Sequence, residues 1–200
     1  MIKFITSNEK KASDFKLFGF LVQEFQFEVP EIKSNDVELV ALYKAKDAGL
    51  NNIVVEDTAL YVEGSPFFGT DIKHVYEQMQ NDNSLHGLKA TWKLSLCLRK
   101  DDYYYISTGE LIGKLNYPAI EKGYHFEKFF AIEKSNKLIQ YPMVDGYTKK
   151  EISPRYVALR KLHNAIVNND FSELKKIHVS EVLDWNGDYQ VEKSKKKLKM

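Results

Sequence analysis

Two β-rich runs, residues 90–99 and 103–115, are separated only by Lys100-Asp101-Asp102. This feature restricts the fold more than any other. A connection so short reads as a hairpin turn and favours antiparallel pairing of the two runs. The chain before them has a different rhythm. Residues 2–6 form a short apolar strand, 8–18 read as a helix, and a second strand lies near 22–29. A second helix over 36–48 is followed by a strand over 53–62 and a further helical stretch over 71–80. Alternating strand and helix units argue for an α/β layer fold. After the hairpin come a strand over 126–132, a clear helix over 153–168 and a short helix over 171–176. The expectation is therefore an α/β protein, with a mixed sheet and helices on its faces.

The totals narrow the class. Two hundred residues suit one domain with an appendage. The division expected is a domain over 1–168 and a C-terminal appendage over 169–200, whose basic tail carries five lysines between Lys193 and Lys199. Such a charge run reads first as a solvated tail, with partner binding or localisation as the alternative. The formal net charge of +1 gives no bulk electrostatic case for a nucleic-acid binder. A single cysteine, Cys97, rules out an intrachain disulfide and a Cys-rich zinc site. The N-terminal apolar run is too short for a signal peptide, and no run approaches the ~20 residues of a membrane span. A cytoplasmic protein is the default expectation.

The chemistry starts in NIVVEDTALYVEG, residues 52–64. Glu56 and Asp57 interrupt a strand that is otherwise apolar. Lone buried carboxylates are costly. A divalent cation makes them favourable, since Mg²⁺ takes one or two carboxylates, keeps waters and bridges to phosphates. Glu31, after Pro30, and Glu38, at the start of the second helix, are further candidates. For them a loop charge and a helix-dipole role stand as alternatives. Three cations sit on otherwise apolar helix stripes. Lys11 shares one with Phe15 and Phe18, Lys44 one with Val37, Val40, Ala41 and Ala48, and Arg155 one with Ala158, Leu159 and Leu162. Each could snorkel to water by itself. Three together suggest a cleft for a polyphosphate. Thr6, Ser7 and Asn8, between the first strand and its helix, suit phosphate oxygens, or serve as a helix cap.

In this order the segments resemble one family, the inosine triphosphate pyrophosphatases, also called Ham1-like. ITSNEKK is similar to its Thr/Ser-Gly-Asn-x-x-Lys opening, with Ser7 at the glycine and Lys11 as the lysine. PEIKSNDVELVALYKAKDA places Glu31 at a metal-binding glutamate and Lys44 at a helix lysine. VVEDTAL resembles the Asp/Glu-Asp-Thr/Ser-Gly-Leu core, with Asp57 as its metal-linked catalytic aspartate and Thr58 as a substrate contact. KGYHFEKFF resembles the Gly-Phe-Gly-Tyr-Asp-Pro-x-Phe segment, which implies substrate contacts from Tyr124, His125, Phe126 and Glu127. KKEISPRYVAL resembles the Lys-x-x-x-Ser-His-Arg segment, with Lys149, Ser153 and Arg155 in register.

The resemblance implies an elongated two-lobed α/β fold with a long mixed sheet, a cleft between the lobes, and a homodimer. It implies Mg²⁺-dependent hydrolysis of a nucleoside triphosphate between the α and β phosphates, releasing a monophosphate and pyrophosphate. Asp57, Lys11 and Lys44 would be catalytic. Glu31 and Asp57, with Glu56 or Glu38, would hold metal. His125 at the small glycine, Glu127 at the aspartate and Pro154 at the histidine alter the segments that line the family's base pocket. The substrates implied are inosine, deoxyinosine and xanthosine triphosphates. The alternatives are another or modified nucleotide, or a nucleotide-binding or interaction protein with weak catalysis. Phe67, Phe68, His74 and Tyr76 add a candidate stacking or partner surface, against core packing over 72–76.

Overall fold

The protein, seen in a computed structural model, is described at residues 2–6, 9–24, 29–65, 69–72, 79, 82–123 and 125–191. The hairpin is its spine. β5 (Lys89–Lys100) and β6 (Tyr103–Leu115) pair antiparallel along their length, from Lys89 opposite Lys114 to Lys100 opposite Tyr103. β4 (Ile53–Val62) pairs antiparallel with the other edge of β5, from Ile53 opposite Arg99 to Val62 opposite Ala90. Beyond it the direction changes: β1 (Lys3–Thr6) runs parallel to β4, and β2 (Leu21–Glu24) parallel to β1. α1 (Glu9–Leu17) lies in the crossover that joining parallel neighbours requires.

On the far side of β6, β7 (Phe130–Lys134) and β8 (Lys137–Gln140) form a second hairpin. The main sheet has eight strands in the order β2-β1-β4-β5-β6-β7-β8, with β9 (Lys175–His178) also on β6. β6 is long enough for two partners on one edge, β7 at Lys114–Leu115 and β9 at Tyr103–Ile106. A two-stranded sheet joins β3 (Glu31–Ile32) to β10 (Tyr189–Val191), antiparallel. The chain is thus a mixed α/β structure, with a long sheet flanked by helices. No helix among the described residues is long and apolar enough to cross a membrane.

Local signals set the helices. Asp36 caps α2 (Val37–Ala48), accepting from the amides of Glu38 and Leu39 at 2.9 and 3.4 Å. Gly49 ends it in the left-handed region, φ 66°. α3 (Gly146–Ile152) is capped by Asp145, and α4 (Pro154–Asn168) opens with proline at its first position, where the missing N–H has no consequence.

Three hydrophobic clusters share the sheet. Ile53 and Val55 of β4 pack with α2 residues Val40, Ala41 and Ala45. Val54, Leu96 and Leu98, on the other face, pack with Phe15 of α1 and Leu159 and Leu162 of α4. Leu60, Val62 and Trp92 join Leu115, Phe129 and Phe130 further along. Along β4, Val54 and Val55, of two different clusters, precede Glu56 and Asp57, and Leu60, of the third, follows them, so the two carboxylates lie where the cores meet.

Some expectations need correcting. The strand expected over 126–132 begins later, because His125–Lys128 forms a 3₁₀ turn before β7. Residues 171–176 are not a helix. Asp170 accepts from the Ser172 amide at 3.0 Å, which turns the chain, and Lys175–His178 then pairs with the open edge of β6. Strand pairing there overrides a weak helical pattern. The expected appendage thus adds one strand to the main sheet and one to β3. The helix expected over 71–80 falls mostly outside the described residues, as do residues 25–28 of the second strand.

Gly109 of β6 lies against the start of α4, where an added Cβ would fall on the Pro154 carbonyl oxygen, deep inside contact distance. Gly109→Ala should therefore destabilise the protein by about 1–3 kcal/mol, the usual range for overpacking. Thermal unfolding should show it as a drop of roughly 2–4 °C per kcal/mol for a chain of this size. An unchanged melting temperature would contradict the close approach.

Candidate active site

Consecutive residues on a strand point to opposite faces. Glu56 lies in a row with Leu96 and Ser107, and Asp57 in the next row, with Ser95 and Thr108. The two carboxylates therefore meet different helices. On one face, Lys44 of α2 reaches Asp57 Oδ1 at 2.6 Å and Glu31 Oε1 at 2.9 Å. On the other, Lys11 of α1 lies 2.8 Å from Glu56 Oε1. Arg155 of α4 grips Glu56 with two bonds, Nε to Oε2 at 2.9 Å and Nη2 to Oε1 at 3.0 Å. Arg155 Nη1 also reaches Asp14 at 3.0 Å, and the Tyr156 hydroxyl donates to Asp14 at 3.1 Å.

The two sides are compensated unequally. Burial by itself would raise the Glu56 carboxyl, but the charges of Arg155 and Lys11 and their hydrogen bonds hold it down to about 2. Burial raises the Asp57 carboxyl, and although Lys44 and Lys11 oppose this and Glu31 adds to it, the net shift is upward. Lys44 itself stays charged, since Asp57 and Glu31 more than reverse the effect of its burial. Among the described residues, Asp57 Oδ2 is buried with no hydrogen-bond partner. So is Ser95 Oγ, whose residue lies directly across from Asp57 and is 0% exposed. Two orphaned buried oxygens beside two carboxylates that share one ammonium suit an added cation.

The expected metal set is thus divided. Glu31 and Asp57 come together through Lys44. Glu56 does not join them, because its side chain turns to the opposite face and both oxygens are held by Lys11 and Arg155. Glu38 is engaged too, by Thr108 at 3.2 Å and by Lys93 and Lys175 at 3.1 Å each. No group of three or more His, Cys, Asp or Glu among the described residues could hold a metal. A pair fits Mg²⁺, which needs only one or two carboxylates when waters and phosphates complete its shell. Likewise the three stripe cations do not meet at one point. Lys11 and Arg155 share Glu56, and Lys44 lies across the sheet. Lys11 still acts on Asp57 through its charge.

The remaining expected residues scatter. The Thr58 hydroxyl accepts from the Trp92 indole at 3.0 Å and donates to the Lys93 carbonyl at 3.3 Å. Phe126 is a core side chain, edge-on to Trp92 at 5.3 Å, so its ring is not offered to a ligand. His125 takes φ 46°, a left-handed conformation that suits the glycine of the resembled motif. Glu127 acts through its charge on Lys149 and Tyr141. Lys149 donates to the Pro142 carbonyl at 3.0 Å and lies over the Tyr141 ring, and burial lowers its pKa. Ser153 is buried and hydrogen-bonded to Tyr141, whose hydroxyl burial pushes up to about 12. Thr6 ends β1. Ser7, Asn8, Phe67, Phe68, His74, Tyr76 and Tyr124 lie outside the described residues. Ser95 was missed by sequence reasoning. The alternation of KATWKLSLCLRK, with Trp92, Leu94, Leu96 and Leu98 on one face, could have placed it with Lys93 on the other.

A sequence model of the Ham1 family matches residues 2–165. The chain belongs to the Ham1 family. Among solved structures, the Ham1 protein of Staphylococcus aureus is similar to this chain at TM-score 0.64 and 20% identity, over 84% of this chain and 100% of that one. A HAM1 protein from Coxiella burnetii is similar at TM-score 0.58 and 19% identity, with the same coverage. These likenesses show the shared fold. No curated protein matches by sequence. Membership supports a hydrolase of nucleotide metabolism, a pyrophosphatase for non-standard nucleoside triphosphates in general.

The ion pairs on Glu56 predict an acid-sensitive fold. Folding lowers the carboxyl from its ordinary 4.5 to about 2. Its contribution is fully present above pH 4.5 and is lost as pH falls from there toward 2, on the order of 3 kcal/mol in all. Urea titrations at several pH values should show this loss. Glu56→Gln should flatten that part of the profile and cost about 3–5 kcal/mol at pH 7, because it leaves Arg155 and Lys11 poorly paired.

Proposed function

We propose that the protein is a Mg²⁺-dependent nucleoside triphosphate pyrophosphatase. It would cleave between the α and β phosphates and release a nucleoside monophosphate and pyrophosphate. Its substrates would be the triphosphates of inosine, deoxyinosine and xanthosine. One observation carries this reading: the buried Asp57 carboxylate keeps an unpartnered oxygen while sharing Lys44 with Glu31.

Asp57 and Glu31 would hold the metal, which supplies Lewis acidity toward a phosphoryl oxygen and lowers the pKa of water. Lys44 keeps the two carboxylates together. Asp57, with one oxygen on Lys44, has the other to orient the attacking water and accept its proton. Lys11 and Arg155 present positive charge from the opposite face, where phosphates would compete with Glu56 for them. Lys149 adds a cation beside Glu127 and Tyr141, on the side expected to receive the nucleoside. The nucleotide substrate, the domain assignment of 1–168 and the homodimer belong to the same proposal.

The test is pyrophosphate release with Mg²⁺ across standard, deaminated and modified nucleoside triphosphates. Release from inosine and xanthosine triphosphates is expected, and Asp57→Asn should lower kcat by ~10²–10⁴-fold, the usual worth of a positioned general base, while sparing much of the nucleotide affinity. Absence of pyrophosphate from every nucleotide in the panel would refute the proposal.

A further inference from the structure

The chain continues beyond the stretch that matches the family, which ends at residue 165. Residues 169–191 leave α4 through a left-handed Asn169, add β9 to β6 and end in β10 on β3. Between these strands they pass along α2. Lys175 of β9 lies 3.1 Å from Glu38, in the first turn of α2. Near the other end of α2, Lys46 Nζ donates to the carbonyls of Val182 and Leu183 at 3.1 and 2.7 Å, and to Asp184 at 2.8 Å. The Tyr43 hydroxyl donates to the Leu183 carbonyl at 2.9 Å, and its ring meets Trp185 edge-on at 5.3 Å.

Trp185 also closes the turn that follows. Its indole N–H donates to the Asp188 carbonyl at 2.9 Å, and Gly187 lies so close to the indole that a Cβ would strike it. This turn delivers β10 onto β3. The Lys33 amide donates to the Asp188 carbonyl at 2.8 Å, Tyr189 stands opposite Ile32, and Val191 opposite Glu31. The step from Tyr189 to Val191 against Ile32 to Glu31 inserts one extra residue, a bulge beside Glu31. Bulges re-aim neighbouring side chains.

β3 is two residues long, and β10 is its strand partner. A strand so short has little stability of its own. Ile32 anchors it through a fully buried side chain, and β10 fixes its backbone. Lys44 lies on α2 between Tyr43 and Lys46, the two residues gripped by the same segment. Both groups that share charge with Asp57 are thus held from behind by residues outside the family match.

We infer that residues 169–191 form a positioning clasp, which sets the geometry of Glu31 and Lys44 around Asp57 and so the affinity of this site for a divalent cation. The inference rests on the reading that Glu31 and Asp57 hold the metal. Trp185 is its keystone, because it bonds the α2 side to the β10 turn without touching the carboxylates.

The experiment is Mn²⁺ binding to the full-length protein without nucleotide, followed by electron paramagnetic resonance. Trp185→Ala should raise the Mn²⁺ Kd by about tenfold or more, as loss of groups that orient metal ligands does. Trp185→Phe, which keeps an edge-on ring but loses the N–H that holds the β10 turn, should recover only part of it. Lys46→Met opens the clasp from the α2 side with a smaller change in packing and should weaken binding in the same direction. Leu162→Ala on α4, outside the clasp and in the cluster on the opposite face, should lower the melting temperature but leave Mn²⁺ affinity unchanged. If wild type binds Mn²⁺ and Asp57→Asn does not, while folded Trp185→Ala and Lys46→Met bind as wild type does, the clasp is overturned and the metal reading stands. If wild type binds no Mn²⁺, the metal reading fails and takes the clasp with it.

Discussion

Two adjacent carboxylates on one strand cannot share a face, and the rest of this structure is arranged around that constraint. Glu56 and Asp57 project to opposite sides of β4, at the point where three apolar clusters meet. Neither has water to solvate it fully, so each requires cations from a different layer. α1 and α4 bring Lys11 and Arg155 to Glu56, and α2 brings Lys44 to Asp57. A lysine or arginine on an apolar helix stripe is therefore the counterpart of a carboxylate in the sheet beneath it.

The two sides differ in how far that compensation goes. Around Glu56, two carboxylates, with Asp14, face two cations, and the bonding to Glu56 is bidentate. That arrangement is neutral and stiff, and it ties both helices to the sheet. Around Asp57, two carboxylates face one lysine, and a buried oxygen is left over. Incomplete compensation costs stability, and such costs are characteristic of sites that await a ligand. A single strand thus carries, at consecutive positions, one fully compensated carboxylate and one incompletely compensated.

Much of the fold was legible because its signals are local. The β-rich runs and the short polar link at Lys100-Asp101-Asp102 marked the hairpin, and strand–helix alternation marked β1, α1, α2 and β4. The candidate site was legible in part. Lys11, Lys44 and Arg155 stood out as charges on apolar stripes, and Glu56 and Asp57 as charges in a strand. Ser95 gave no such signal, since a serine in a strand carries no charge to betray it. Glu56 was grouped with Asp57 because adjacency in sequence was read as adjacency in space, although strand geometry separates the two. The segment after α4 was read as helix and tail, whereas open edges on β6 and β3, set by distant parts of the chain, decide that it is strand.

What the sequence determined by itself was most of the elements as far as β6, the helix that opens at Pro154, and the inventory of charged groups buried among apolar ones. Periodicity and capping act within a few residues, and they leave their mark in the chain order. Only the tertiary structure decided which cation meets which carboxylate, which oxygen is left unpartnered, and that a terminal segment backs the pair formed by Glu31 and Lys44. Those outcomes depend on sheet order and on which face each helix covers. They are settled by contacts between residues far apart in the chain, as in the bond from Tyr43 to Leu183, 140 positions on.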